Sequence, residues 1–282
     1  MLSLLQKILP WHVRRYWRHA SRLYALRKPP FEGVYQGFEE VGSEGSWDSK
    51  VWLEESLRST RAARARLTSG TGAGLADTRA LLPLLLAGFA SAPGPKGEAG
   101  EPLRILDFGG GTGQDYAHLK ASASLDHPIE YLVVDSPACC EAGAALWVDD
   151  AAITFGSRLP DSTQRFDVVL AASSLFYAED FQALLRAFTR YRPALMLFTK
   201  TPVREGASFV RAQTNMEEGR RIPHWVIGIE DLDATLRREG YRRVYGTYDE
   251  HVYNVDNYTK EFRVDRTAQF VFARVTEPAR ES

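Results

Sequence analysis

From Arg104 onward the chain falls into short apolar runs separated by stretches of helix length: RILDFG, IEYLVVD, AAITFG, FDVVLAASS, ALMLFTK, YRRVYGTY and AQFVFARV. Near-continuous apolar strands are buried on both faces, and strands that alternate with helices run parallel in a doubly wound sheet. The last two runs lie too close for a crossover helix, so the final strand enters antiparallel. The expected fold is α/β, a doubly wound, mostly parallel seven-stranded Rossmann-like sheet with an antiparallel last strand and a helical N-terminal extension.

The first hundred residues have a different rhythm. Val13, Tyr16, Trp17, Ala20, Leu23 and Tyr24 recur at helical spacing beside a row of Arg14, Arg18 and Arg22, which predicts an amphipathic helix ended by Pro29-Pro30. FEGVYQGFEEVGSEGSW reads as an aromatic loop and VWLEESLRSTRAARARL as a polar-faced helix. A further helix spans about Asp77 to Ala90, with Asp77 as its N-cap. Ser91 to Pro102, with three prolines and three glycines, is a boundary. The resulting organisation is a basic helix over 1–30, a helical cap and linker over 31–102, a ligand-binding catalytic domain over 103–276 and a tail over 277–282.

Charge and cysteine content narrow the setting. A formal net charge of -1 conceals a polar chain: residues 1–30 carry seven bases and no acid, leaving a mildly acidic body. That body argues against a phosphate-tracking surface, so no nucleic-acid partner is expected. The basic helix, over residues 1–28, suits peripheral contact with an anionic membrane; its alternative is packing on the body or on a partner subunit. Cys139 and Cys140 are the only cysteines, too close together for a disulfide framework, and point to a reducing compartment. The longest apolar run, LLPLLLAGFA, contains Pro83 and falls short of the roughly 20 residues that span a bilayer. A cytoplasmic location follows, with the inner face of the membrane as the peripheral alternative.

The chemistry concentrates in ILDFGGGTGQDY. A glycine turn at the end of a strand lets ligand atoms approach the backbone, and the following helix N-terminus offers N–H groups. The dinucleotide spacing G-x-G-x-x-G/A fails, because Gln114 or Tyr116 falls at its last position. No Gly-Lys-Ser/Thr follows, so the P-loop fails too. What remains is an acid, Asp107, before Gly109, Gly110, Gly111 and Gly113. This resembles the first motif of class I S-adenosylmethionine-dependent methyltransferases.

The resemblance implies S-adenosylmethionine as cofactor on a Rossmann-like methyltransferase fold. Asp107 would offset the ammonium of its amino-acid end, directly or through water, while loop N–H groups suit the carboxylate. Asp135, ending the next strand, can accept the ribose hydroxyls. Gly156 and Ser157 end the third strand, where such enzymes meet adenine. Ser173, after the fourth strand, belongs to the edge that faces the methyl group, and Tyr177 beyond it is a candidate to position a nucleophile. The long stretch TKTPVREGASFVRAQTNMEEGRRIPHWVIG reads as an irregular binding loop carrying Lys200, Thr201, Gln213, Asn215 and His224. His224 is the candidate general base, with His251 as second choice. No metal-ligand set is recognisable.

Further segments, FEGVYQGFEEV, SSLFYAED, TKTPV and FVRAQTN, together with the glycine motif, resemble a family of bacterial methyltransferases encoded beside surface-polysaccharide biosynthesis genes. This likeness covers roughly residues 31 to 250. It implies methyl transfer to an O or N nucleophile on a small-molecule or glycan acceptor, such as a sugar of a surface glycan or of its lipid-linked or nucleotide-linked precursor. Two other readings stay open: a non-catalytic S-adenosylmethionine-binding or scaffold protein, and a nicotinamide-dependent sugar oxidoreductase. Against the latter stand the Gln114 mismatch and the lack of a Tyr-x-x-x-Lys pair.

Overall fold

The computed structural model describes residues 29–42, 50–69, 81–83, 85–86, 101–122, 128–214, 220–250, 255–264 and 266–275. The basic helix expected up to residue 28, most of the helix expected over 77–90, His251, Asn215 and the tail lie outside the described residues.

All seven anticipated strands form. They are β2 (Leu103–Phe108), β3 (Ile129–Val134), β4 (Ile153–Gly156), β5 (Val168–Ala172), β6 (Leu195–Arg204), β9 (Tyr241–Glu250) and β10 (Arg266–Arg274). β3 and β5 flank β2 in parallel, β4 extends beyond β3, and β6 lies beyond β5. β10 then pairs antiparallel with both β6 and β9. The seven therefore run β4-β3-β2-β5-β6-β10-β9. Chain order reverses at β2, whose neighbours come from opposite directions, so the topological switch point lies at its carboxyl end.

Alternate residues of the central strands feed two cores. Leu106, Val169, Phe198 and Phe270 lie in one, and Ile105, Val168, Leu197 and Val271 in the other. The first core is closed by α4 (Phe181–Arg190) and α5 (Ile229–Arg238), which contribute Leu185, Phe188, Leu232 and Leu236. The second receives Tyr116, Ala117 and Leu119 from α2 (Gln114–Ser122) and Ala63 from α1 (Lys50–Ser69). Each fully buried Leu, Val or Phe contributes about 1.5–3 kcal/mol relative to exposure. Burial on both faces is why these runs lack polar alternation. The last helix, α3 (Pro137–Leu146), starts with Pro137 after an N-cap Ser136, whose hydroxyl accepts the Cys139 N–H at 3.4 Å.

Three further strands correct the expectation. β1 (Phe31–Tyr35), β7 (Phe209–Gln213) and β8 (Ile222–Gly228) extend the sheet to ten strands among the described residues. β1 pairs antiparallel with β7, and β7 with β8. β8 joins the main sheet through a short parallel pairing of Ile227 and Gly228 with Val203 and Arg204 of β6. The segment read as an irregular binding loop is thus largely sheet, and FEGVY is a strand rather than a loop in a helical cap. Gly33, with φ +73°, sits where the β1 register shifts, which obscures the strand's pattern. Pro202 and Pro223 lie inside β6 and β8, where a proline argues against a strand when read from sequence alone.

Candidate active site

β2 delivers the chain to the switch point, and the glycine loop turns it into α2. Gly109, Gly111 and Gly113 have φ of +71°, +59° and +87°, the region other residues avoid. A Cβ on Gly109 would lie 2.3 Å from the Ser174 Cβ, and one on Gly110 would lie 2.3 Å from Asp107 Oδ2. The loop is held from the next strand end. Asp135 Oδ2 accepts the Gly111 N–H at 2.8 Å, Asp135 Oδ1 accepts the Ser136 N–H at 2.6 Å, and Val134 O accepts the Gly109 N–H at 2.8 Å.

A second support comes from the cap helix. Thr112 donates its N–H to Ser56 Oγ at 3.1 Å, and its hydroxyl lies 2.7 Å from Thr60 Oγ1 and 3.2 Å from Ser56 Oγ, all buried. From the other side, Trp147 Nε1 donates to Thr112 O at 3.0 Å. Arg64 of α1 donates to Leu146 O and stacks over the Trp147 ring at 4.4 Å. The helix over Lys50–Ser69 therefore anchors the loop as well as covering the core. The pair Ser56 and Thr60, one helical turn apart, is the available sequence signal for this contact.

A cavity of about 330 Å³ opens beside the loop. Its wall brings together five residues anticipated from sequence: Gly109, Asp135, Ser157, Ser173 and Tyr177. It also includes Trp52, Ser136 and Ser174, which were not anticipated. Asp107, Gly110, Gly111, Gly113 and Gly156 are not part of that wall. Asp107, expected to offset the cofactor's ammonium directly or through water, is fully buried beneath the loop, and its Oδ2 accepts the Tyr131 hydroxyl at 2.8 Å. Burial, reinforced by the Asp107 charge, holds the Tyr131 phenol well above its usual range and keeps it a donor. Through Tyr131, Asp107 ties the base of the loop to β3. Gly156 likewise acts through its carbonyl, which accepts the Asp135 N–H at 3.2 Å.

Ser173 and Lys200 add an unusual backbone feature. Both are non-glycine residues in the left-handed region, with φ of +59° and +53°, Ser173 just past the end of β5 and Lys200 within the neighbouring β6, where its pairing with β5 stops. Such conformations cost of order 1–3 kcal/mol and cluster at functional sites. The Ser173 N–H donates to Thr199 O at 3.0 Å, and Ser174 Oγ donates to Phe108 O at 2.5 Å, tying the β5 end to the glycine loop.

A second cavity, of about 280 Å³, shares Ser173 and Tyr177 with the first. The added strands supply much of its wall: Phe31 from β1, Arg211 and Gln213 from β7, His224 from β8. Arg211 and His224 are cross-strand partners, as are Phe31 and Gln213, so the pleat points each pair to one side. Tyr177 donates its hydroxyl to Gln213 Oε1 at 2.8 Å, fixing the ring between the two cavities.

His224 is in this wall, but its surroundings oppose the base role. Its Nε2 accepts the Arg211 Nε–H at 2.8 Å, leaving Nδ1 to carry the proton of the neutral ring. Burial and then the Arg211 charge hold its pKa well below the usual imidazole value. Taking up a second proton would set an imidazolium against a guanidinium at a position only 1% exposed. Arg211 is itself held by Val264 O at 3.3 Å and lies 3.6 Å over the Phe31 ring. Sequence reasoning passed over Arg211, because its segment reads as an irregular loop, whereas it lies in a strand and is only 2% exposed.

A larger groove, of about 570 Å³, lies at the opposite end of the strands, beside Arg104 and Glu130. Ligands of open α/β sheets bind at carboxyl ends, which favours the two adjoining cavities. Among the described residues, no group of three or more His, Cys, Asp or Glu side chains is arranged to hold a metal ion, and no helix is long and apolar enough to cross a membrane.

The strand order and the glycine turn at its switch point define a doubly wound α/β protein with a Rossmann-like fold. No known family profile matches the sequence, and no curated protein matches it. Similar solved structures include the 1,6-didemethyltoxoflavin-N1-methyltransferase of Burkholderia thailandensis, with bound 1,6-didemethyltoxoflavin and S-adenosylhomocysteine. It is 15% identical, with 88% of this chain and 94% of that one covered at a TM-score of 0.47. Magnesium protoporphyrin IX methyltransferase of Synechocystis PCC 6803 is 14% identical, with coverage of 77% and 95% and a TM-score of 0.45. The CcbJ methyltransferase of Streptomyces caelestis is 15% identical, with coverage of 69% and 88% and a TM-score of 0.42. Likenesses this distant leave the fold to rest on the strand order itself.

Proposed function

We propose that the chain transfers the methyl group of S-adenosylmethionine to an oxygen or nitrogen nucleophile. The observation that carries this reading is the Asp135 carboxylate, which organises the glycine loop and lines the same cavity at the switch point. Each of its oxygens accepts one backbone N–H and has a second lone pair for a ribose hydroxyl. Ser157 and Ser136 add hydroxyls on the same side, and the volume of about 330 Å³ lies within the range of small-molecule sites. The donor set thus fits a nucleoside that carries no pyrophosphate.

When bound, the cofactor supplies an electrophilic sulfonium methyl group. The chain's own contribution is positioning and exclusion of water. Trp52 and Phe108 are apolar parts of the first wall, Ser173 is small enough to leave passage, and Tyr177 is oriented by Gln213 between the cavities. The second cavity takes the acceptor. With His224 held neutral by burial and by Arg211, the nucleophile is one that needs orientation more than deprotonation, such as an amine or an acidic hydroxyl. Sugar acceptors of the surface-glycan class remain part of the reading and form one arm of its test.

Calorimetric titration of the full chain with S-adenosylhomocysteine and with NAD(H) tests the cofactor. Binding of the former alone is expected; binding of NAD(H) alone would sink the proposal. A labelled-methyl screen over nucleotide sugars, lipid-linked glycans and small metabolites then separates an enzyme from a non-catalytic binder.

A further inference from the structure

The second cavity has a chemical character of its own. Its wall carries three cationic side chains, Lys200, Arg211 and Arg266, and no acidic one among the described lining residues. We infer that this cavity receives an anionic group of the acceptor, a carboxylate or a phosphate, with Lys200 and Arg211 as its principal binding residues.

Three observations converge on that assignment. Arg211 is held almost fully inside the protein by contacts that fix its orientation: His224 Nε2, Val264 O and the face of Phe31. A pre-oriented guanidinium fork matches the geometry of a planar carboxylate or of a phosphate. Lys200 occupies a left-handed backbone conformation that glycine would adopt without strain, within β6 and on the same wall. A strained residue with a charged head in a cavity is a functional candidate for a stated physical reason. Finally, the polarity is consistent around the wall. The imidazole of His224, held neutral, adds no negative charge, and its Nδ1–H has no acceptor among the described residues.

The rest of the wall suggests the body attached to that anion. Phe31, Phe176 and Tyr177 present rings around His224, at centroid distances of 5.1, 5.6 and 5.7 Å from it. A flat or ring-bearing acceptor would stack there while its anion meets the cations. Because Ser173 and Tyr177 belong to both cavities, an anchored acceptor is directed toward the cofactor cavity. The word acceptor rests on the methyl-transfer reading, whereas the anion site rests only on the cavity.

The test uses the full chain, first free and then saturated with S-adenosylhomocysteine, with inorganic phosphate and benzoate as probes and benzyl alcohol as the uncharged control. Binding is measured by ligand-observed NMR and calorimetry at low and at high potassium chloride. At least one anion is expected to bind while benzyl alcohol does not. Its affinity should fall about tenfold or more in Lys200→Gln and in Arg266→Gln and weaken with salt. Preference for phosphate points to a phosphorylated or nucleotide-linked acceptor, and preference for benzoate to a carboxylic acid. Absence of binding by both anions, or equal affinity in wild type and Lys200→Gln, overturns the inference. Arg211→Gln is read only where circular dichroism shows native folding; the other two variants decide the matter without it. Titration of S-adenosylhomocysteine into each variant runs in parallel. Anion binding without cofactor binding sinks the methyl-transfer reading alone, and cofactor binding without anion binding sinks the anion site alone.

Discussion

Replacing Asp135 by asparagine tests the cofactor assignment at its most exposed point. The carboxylate has four lone-pair positions, of which Gly111 N–H at 2.8 Å and Ser136 N–H at 2.6 Å take one on each oxygen. Asparagine keeps one acceptor oxygen and turns an NH2 group toward the other N–H. One loop bond is lost, at a cost of about 1–3 kcal/mol for a half-buried donor left without its acceptor. For a chain of this size that amounts to a fall of about 2–4 °C in Tm per kcal/mol. A turn acid with no ligand would show this effect and nothing more. If Asp135 also accepts ribose hydroxyls, the variant loses a charge-assisted bond to ligand, worth about 1.5–3 kcal/mol or roughly 10- to 150-fold in affinity. The two cases separate in a double cycle with S-adenosylhomocysteine and its 2′,3′-dideoxy analogue, each titrated calorimetrically into wild type and Asp135→Asn. Removing the hydroxyls should weaken binding to wild type by that factor and to the variant by much less. An equal loss in both proteins would show that Asp135 does not meet the ribose, and the proposed orientation would fail.

Two further predictions address the supports of the site. Thr60→Val removes the hydroxyl 2.7 Å from Thr112 Oγ1 at nearly constant volume, so thermal unfolding should report a loss of about 1–3 kcal/mol and calorimetry a weaker affinity for S-adenosylhomocysteine; unchanged affinity would confine the cap helix to covering the core. Asp150 governs an acid-sensitive contact. Burial pushes its carboxyl upward, but the bonds from Lys120 at 2.7 Å and Tyr116 at 3.0 Å outweigh burial and leave it below the usual carboxylate value. A depressed folded value means the contribution is whole above the unfolded value, about 3.9, and disappears as pH falls through the folded one. Lys120→Met should therefore raise the midpoint of acid unfolding and cost about 0.2–1 kcal/mol at neutral pH, since the lysine is partly exposed. An acid transition identical to wild type would remove the ion pair from the stability of this edge.

The seven central strands were legible because burial on both faces leaves an unmistakable apolar run, and their mostly parallel direction followed from the helices between them. The glycine loop was legible for a different reason: its positive φ angles admit few residues other than glycine, so conformation writes itself directly into the sequence. Asp135 could be found because it ends a strand next to that loop. The extension of β1, β7 and β8 was not legible, since Gly33, Pro202, Arg211 and Pro223 each break a strand pattern for a local reason. A glycine serves a register shift, and an arginine stays buried by binding His224 Nε2, a carbonyl and a ring face. The supporting role of Asp107 was also hidden. Its position before the glycines does not show that one carboxylate oxygen meets Tyr131, a contact made only when β3 packs beside β2.

The same extension gives the two cavities different walls, which underlies the proposed division between a cofactor and a charged acceptor. The cofactor cavity is built by strand ends of the doubly wound sheet, where backbone N–H groups, serines and a single carboxylate suit a polar nucleoside. The second cavity exists because β6 continues past the sheet edge, pairs with β8 through Val203 and Arg204, and so brings a hairpin and β1 over the shared residues Ser173 and Tyr177. Placing Arg211 opposite His224 in that hairpin has two consequences. It withdraws the histidine from proton transfer, and it aims a rigid guanidinium at the place where an acceptor would lie. Both favour catalysis by orientation: the reacting methyl group needs no activation from the protein, whereas a misplaced nucleophile forfeits most of the advantage of an intramolecular geometry. On that argument the charge of the second wall, more than any acid or base, determines which molecules the site accepts.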